Sequence, residues 1–189
     1  MSEKQLADYQ KNQPGTFIVW HFLDEHDPED LALLDQSILH PEILIESDEM
    51  FWMTMDEAGH IENYEGQAWP LPEGAFSHPR SNGTFAKMLR SYVRERKLMT
   101  LSEALRKMSL MPAQTLEAFV PQMKQKGRLQ TGMDADVVVF DPETIADQGT
   151  YEDPNHPAIG VQTVLVNGKM VLSEGQLIEG VGAGMPIRR

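Results

Sequence analysis

The spacing of apolar and polar positions changes period several times along this chain, and each change marks an element. Residues 2–12 are polar, helix-compatible and closed by Pro14-Gly15, which predicts a short helix. Residues 16–22, Thr-Phe-Ile-Val-Trp-His-Phe, are a continuous β-branched and aromatic run of strand length. Asp27-Pro28-Glu29 then opens a helix, with Asp27 as N-cap and Pro28 at the first helical position. Leu31, Leu34, Ile38 and Leu39 give it an apolar face, and His40-Pro41 ends it. Residues 42–46, Glu-Ile-Leu-Ile-Glu, predict a second short buried strand. Strand, helix and strand with apolar strands imply an α/β arrangement with parallel pairing covered by helices.

The texture then shifts. Residues 49–82 form a long loop rich in glycine and proline that holds two of the three tryptophans, and loops of that length are functional or disordered. Helical spacing returns over 84–96, and again from Thr100, where Thr100-Leu101-Ser102-Glu103 has capping-box form. A further helix is expected after Pro112. Beyond Pro121 the pattern is β: a strand within 135–142, another over 161–166, then Asn167-Gly168 as a hairpin turn and a return strand over 169–172. The boundary falls near residue 120, giving segments 1–120 and 121–189. Gly180, Gly182 and Gly184 mark a flexible, irregular tail.

Composition narrows the field. The 189 residues carry 16 Lys+Arg against 29 Asp+Glu, a formal charge of −13, which argues against binding nucleic acid through its phosphates. No apolar run reaches the roughly 18 residues of a membrane span. The start, Met1-Ser2-Glu3-Lys4-Gln5, lacks the order of a signal peptide, so a cytoplasmic protein is expected. Zero cysteines exclude disulfides and thiolate metal ligands within these residues.

Asp48 follows the predicted strand 42–46, and in parallel α/β folds the site lies at the carboxyl ends of strands. A carboxylate there can act as general base, or simply cap a turn; spacing leaves both readings open. Arg80, in His78-Pro79-Arg80, has a fork that matches a substrate carboxylate, or pairs with one of the chain's many acids. The six histidines include no His-x-His and no His-x-x-x-His pair; His21 ends the first predicted strand, at the same mouth or half-buried. Arg90, Arg94, Arg96 and Lys97 read as the solvated face of a helix near its C-terminus. Met50, Met53 and Met55 serve as core or as an adaptable apolar pocket wall.

In order, these pieces resemble the C-terminal part of the metal-dependent amidohydrolases, and within them the N-acyl-D-amino-acid deacylases, or D-aminoacylases. Five collinear segments carry the resemblance. They are Leu39-His40-Pro41 into Ile45-Glu46-Ser47-Asp48; Ser77-His78-Pro79-Arg80 through Gly83-Thr84-Phe85; and Leu101-Ser102-Glu103-Ala104-Leu105-Arg106-Lys107-Met108 with Pro112-Ala113. The others are Lys126-Gly127-Arg128-Leu129 through Asp141-Pro142, and Val164-Leu165-Val166-Asn167-Gly168-Lys169.

The resemblance implies the last strand–helix units of a β/α (TIM-type) barrel followed by part of a small β-sandwich. It implies zinc-dependent hydrolysis of linear amides, with Asp48 as the catalytic general base and with Arg80 and His78 at the substrate. The family's early His-x-His, its mid-barrel cysteine or carboxylated lysine and its two later histidines have no counterpart here, so zinc's ligands would lie outside this chain. An N-acyl amino acid is then a substrate only once a complementary N-terminal half completes the site. The alternative is a non-catalytic remnant acting as a scaffold or interaction module and prone to self-association.

Overall fold

The computed structural model describes residues 2–12, 22–57, 60–66 and 71–188. They fall into two units, Met1–Ser37 with Phe51–Phe76, and Ile38–Met50 with Ser77–Arg189. The strand predicted at 16–22 lies, but for Phe22, outside the described residues, as do the pairing expected of it and His21.

In the first unit, α1 (Glu3–Asn12) is amphipathic but has no buried residue. The helix α2 (Pro28–Leu39) begins as its sequence dictates: Asp27 Oδ1 accepts the backbone N–H groups of Glu29 at 2.8 Å and Asp30 at 3.2 Å. The region expected as a long loop contains a small sheet. In it β1 (Met53–Met55) pairs antiparallel with β2 (Ile61–Asn63), Met53 opposite Asn63. Met53 also exchanges backbone hydrogen bonds with Phe76, at 2.8 and 2.9 Å, and with Ala75 is buried.

The second unit holds a core of Ile45, Ala86, Met88, Leu89, Tyr92, Met99, Ala104 and Ile145, with Ile38 and Leu39 packed against it. Its first helix starts earlier than predicted. Helix α3 (Arg80–Lys87) is entered through Pro79, whose fixed φ of −53° is already helical, and continues in wider π-type turns over Met88–Glu95. Lys97, at φ 54°, ends it. Helix α4 (Leu101–Leu105) is capped by Thr100, whose Oγ1 accepts the Glu103 N–H at 3.2 Å. It runs without a break through π-type turns at Arg106–Leu110 into α5 (Met111–Leu116). Pro112 therefore sits within one continuous helical stretch rather than starting a separate helix: it falls in the first turn after the wide π segment, where a missing N–H is tolerated.

Residues 42–46 are not a strand, a correction to the expectation from their apolar run. Their hydrogen bonds run to a turn and to a helix rather than to a strand: Ile43 N–H donates to His40 O and Ile45 N–H to Lys107 O, both at 3.1 Å. Of these five residues, Ile45 is buried.

The remaining sheet is an antiparallel meander of β3 (Val137–Phe140), β4 (Val161–Val166), β5 (Lys169–Ser173) and β6 (Gln176–Leu177), adjacent in that order. Asn167-Gly168 turns β4 into β5 with both residues at positive φ, 48° and 75°, as a two-residue hairpin turn requires. Glu174-Gly175 repeats the device between β5 and β6. The glycine-bearing tail is irregular, as expected, but it is tied down: Asn167 Nδ2 donates to Ala183 O at 2.7 Å, and Arg188 N–H to Gln122 Oε1 at 2.8 Å. Mixed helix and antiparallel sheet is thus the architecture of the described residues. No helix among them is long and apolar enough to cross a membrane.

Candidate functional site

Asp48, His78 and Arg80 are brought together in the second unit. Asp48 stands at φ 45°, a left-handed conformation that aspartate tolerates better than most residues. Arg80, at the start of α3, grips it twice: Nη2 lies 2.9 Å from the Asp48 carboxylate Oδ2, and Nε donates to the Asp48 backbone carbonyl at 2.6 Å. The carboxylate is 88% exposed and the guanidinium 33%, so this ion pair adds little stability; it orients. The Arg80 edge expected to meet a ligand is thus occupied by Asp48 in the chain as it stands, leaving Nη1 without a hydrogen bond among the described residues.

His78 is placed by its neighbours. Its Nδ1 accepts the Arg80 backbone N–H at 3.1 Å, so in the neutral ring the proton sits on Nε2. The ring meets Tyr151 edge to face, with centroids 5.0 Å apart and planes at 86°. Sequence reasoning missed Tyr151, which lies seventy-odd residues on in a polar loop with no periodicity to single it out. That loop is pinned by Asn82 Nδ2, donating to Pro154 O at 3.2 Å.

A serine pair fastens the segment after Asp48. Ser77 Oγ donates to Met50 O at 3.2 Å and lies 3.0 Å from Ser81 Oγ, which accepts the Met50 N–H at 3.2 Å. Ser-x-x-x-Ser around His-Pro-Arg was the signal available for this, since the turn at Pro79 that enters α3 brings the two hydroxyls together.

The arginines of the Arg90–Lys97 cluster are not a solvated face, a second correction, though Lys97 is exposed. Arg90 holds Asp147 with Nε at 2.7 Å and Nη2 at 3.2 Å, and reaches Glu95 at 3.0 Å. Arg94 Nη1 donates to Ile145 O at 2.7 Å and Pro142 O at 3.0 Å. Arg96 lies over the Tyr92 ring, 5.1 Å from its centroid. The hydrogen bond to Asp147 raises the Arg90 pKa, against the opposing effect of burial. Burial pushes the Asp147 carboxyl up, but the hydrogen bond from Arg90 and the Arg90 and Lys87 charges together hold it below its ordinary value.

Metal binding needs three or more converging ligands, and among the described residues no such group of His, Cys, Asp or Glu exists. The residues in view do not fit a zinc centre. What they can do is present one carboxylate and one guanidinium side by side, with an imidazole against the same turn.

The amidohydrolase family matches residues 67–172, more than half of the chain, and the protein belongs to that family. A curated relative, the N-acyl-D-glutamate deacylase of Alcaligenes xylosoxydans xylosoxydans, is 41% identical over 104 residues, 55% of this chain and 20% of its own length. The crystal structure of a D-aminoacylase superposes with TM-score 0.63 at 30% identity, over 86% of this chain and 28% of that one. An N-acyl-D-glutamate deacylase from Bordetella bronchiseptica, complexed with zinc and a phosphonate mimic of the tetrahedral intermediate, gives TM-score 0.55 at 34% identity, over 80% of this chain and 27% of that one. The chain spans about a fifth of the length of the curated relative it matches.

Proposed function

We propose that this chain supplies the C-terminal share of a zinc-dependent N-acyl-D-amino-acid deacylase, with Asp48 as the general base and with Arg80 and His78 at the substrate carboxylate. The observation that carries the reading is the convergence of Asp48 and Arg80, thirty-two residues apart in sequence, at 2.9 Å in a chain of the amidohydrolase family. In this reading Asp48 takes a proton from the water attacking the amide carbonyl and returns it to the leaving nitrogen as the C–N bond breaks. Arg80 offers a carboxylate the N–H groups of Nη1 and the second N–H of Nη2, and His78 stands at the same turn. Zinc, bound by one of the relatives, does not fit the described residues, so its ligands are taken to come from outside them. Residues 1–120 would then be the last units of a β/α barrel and 121–189 part of a small β-sandwich, in keeping with the superposition on D-aminoacylase. A cysteine-free acidic chain agrees with the cytoplasmic location we propose.

The test is complementation. This chain is co-expressed with the N-terminal portion of a D-aminoacylase, zinc is supplied, and free amino acid released from N-acetyl-D-glutamate and other N-acetyl-D-amino acids is measured. The purified complex turns over, whereas this chain alone does not. Asp48→Asn lowers turnover by roughly 10²–10⁴-fold with the complex intact, the range of a lost general base. Unchanged turnover in that variant would remove Asp48 from the mechanism. A second reading, a non-catalytic interaction module, is favoured by the exposure of Phe51, Phe119 and Leu129. A folded, zinc-loaded complex without activity would decide for it.

A further inference from the structure

Lys107 is the bulkiest fully buried side chain among the described residues, with 0% of its surface exposed. An ammonium in a core is costly, and burial lowers its pKa. It forms no ion pair among the described residues; Glu103 acts on it through space. Its partners are backbone carbonyls: Nζ donates to His40 O and, at 3.1 Å, to Ile43 O, while the Lys107 carbonyl accepts the Ile45 N–H at 3.1 Å. Three hydrogen bonds therefore tie one residue of the π-type turns at Arg106–Leu110 to the turn at 40–45. A methionine would fill most of the same space with no charge to desolvate, so filling space does not account for a lysine here; the carbonyls it holds do.

The turn it holds leads directly to Asp48. On the far side Met50 is fastened by Ser77 and Ser81, so Asp48 is a short bridge between two fixed points, strained to φ 45° and met by Arg80. We infer that Lys107 is a positioning residue: by clamping the carbonyls of His40 and Ile43 it sets where Asp48 stands relative to Arg80. The inference rests on the reading of Asp48 as general base for its catalytic meaning, but its test reads position rather than turnover, so the two can fail separately.

The probe is the Arg80 Nε–H, which donates to the Asp48 carbonyl at 2.6 Å and gives its own signal in a nitrogen–proton correlation spectrum of the labelled full chain, assigned by its loss in Arg80→Lys. In Lys107→Met this signal moves to the position of a solvated arginine and its exchange with water speeds by about tenfold or more, while the amides of β3, β4 and β5 keep their shifts. A role in filling the core alone would leave the Arg80 signal in place. A second variant covers the case in which Lys107→Met does not fold. Glu46→Gly with Ser47→Gly leaves the core and Lys107 intact but puts slack between the clamp and Asp48, and the same displacement of the Arg80 signal is expected. Retention of the signal in the glycine variant, or in a folded Lys107→Met chain, overturns the proposal. An active complex carrying Asp48→Asn would remove the base role and leave the clamp standing.

Discussion

Asp147 shows what a single residue contributes here, because its main partner is one well-placed guanidinium. Its side chain is 17% exposed and takes both the Nε and Nη2 hydrogen bonds of Arg90, so Asp147→Asn leaves a partly buried guanidinium with half its acceptor. We expect a loss of about 1–3 kcal/mol, read as a lower urea midpoint at unchanged slope. The pH dependence has a definite sign. Asp147 titrates below its ordinary 3.8 when folded, so its stabilisation is complete above that value and disappears as pH falls through the folded-state value. Asp136 behaves alike: the Asn167 backbone N–H, then the Lys126 ammonium, lower its pKa. Urea midpoints measured from pH 6 down to pH 3 should therefore fall most steeply below pH 4, and Asp147→Asn should flatten that fall. Neither Asp147 nor Lys107 could be singled out in the sequence. A lone lysine in a helical stretch reads as surface by default, and its burial depends on backbone carbonyls, which no side-chain pattern encodes. Asp48, His78 and Arg80 could be put forward as candidates because they lie in short, ordered motifs.

Among the elements, those with local instructions formed where expected. Asp27 caps α2, Thr100 caps α4, and Asn167-Gly168 turns β4 into β5. The apolar run at 42–46 misled because strand and buried turn share composition; what separates them is whether a neighbouring strand or Lys107 supplies the hydrogen bonds. The wide turns at Met88–Glu95 and Arg106–Leu110 keep the apolar spacing of an ordinary helix closely enough that sequence gives no sign of them. Gly160 offers the sharpest test at this level. It has φ 83°, and a Cβ added there would lie 2.5 Å from Ile145 Cα, where the residues before β4 pass the core. Gly160→Ala meets backbone rather than a yielding side chain, and we expect it to cost on the order of 3 kcal/mol, seen as a lower thermal midpoint with the helical far-UV signal retained below it.

Taken whole, the molecule sets charge against exposed apolar surface. Leu129, Phe22, Phe51 and Met185 are more than 70% exposed, while a net charge of −13 opposes close approach of two copies. Salt screens the charge within about 10 Å at 0.1 M and leaves the apolar contact intact. Sedimentation velocity should accordingly show self-association that rises with protein concentration and from 20 to 300 mM salt; a weight-average mass independent of both would count against it.

The two tight turns of the meander bear on how the chain acquires its shape. β4, β5 and β6 are joined within seventeen residues, so each strand's partner arrives almost as soon as it is made, and such hairpins zip in roughly 1–10 μs. The bridge between Ala146 and Ile159, and the bonds from Arg90 and Arg94 to 142–147, must close far longer loops. The hairpins can therefore serve as a template on which the slower, long-range contacts are laid down.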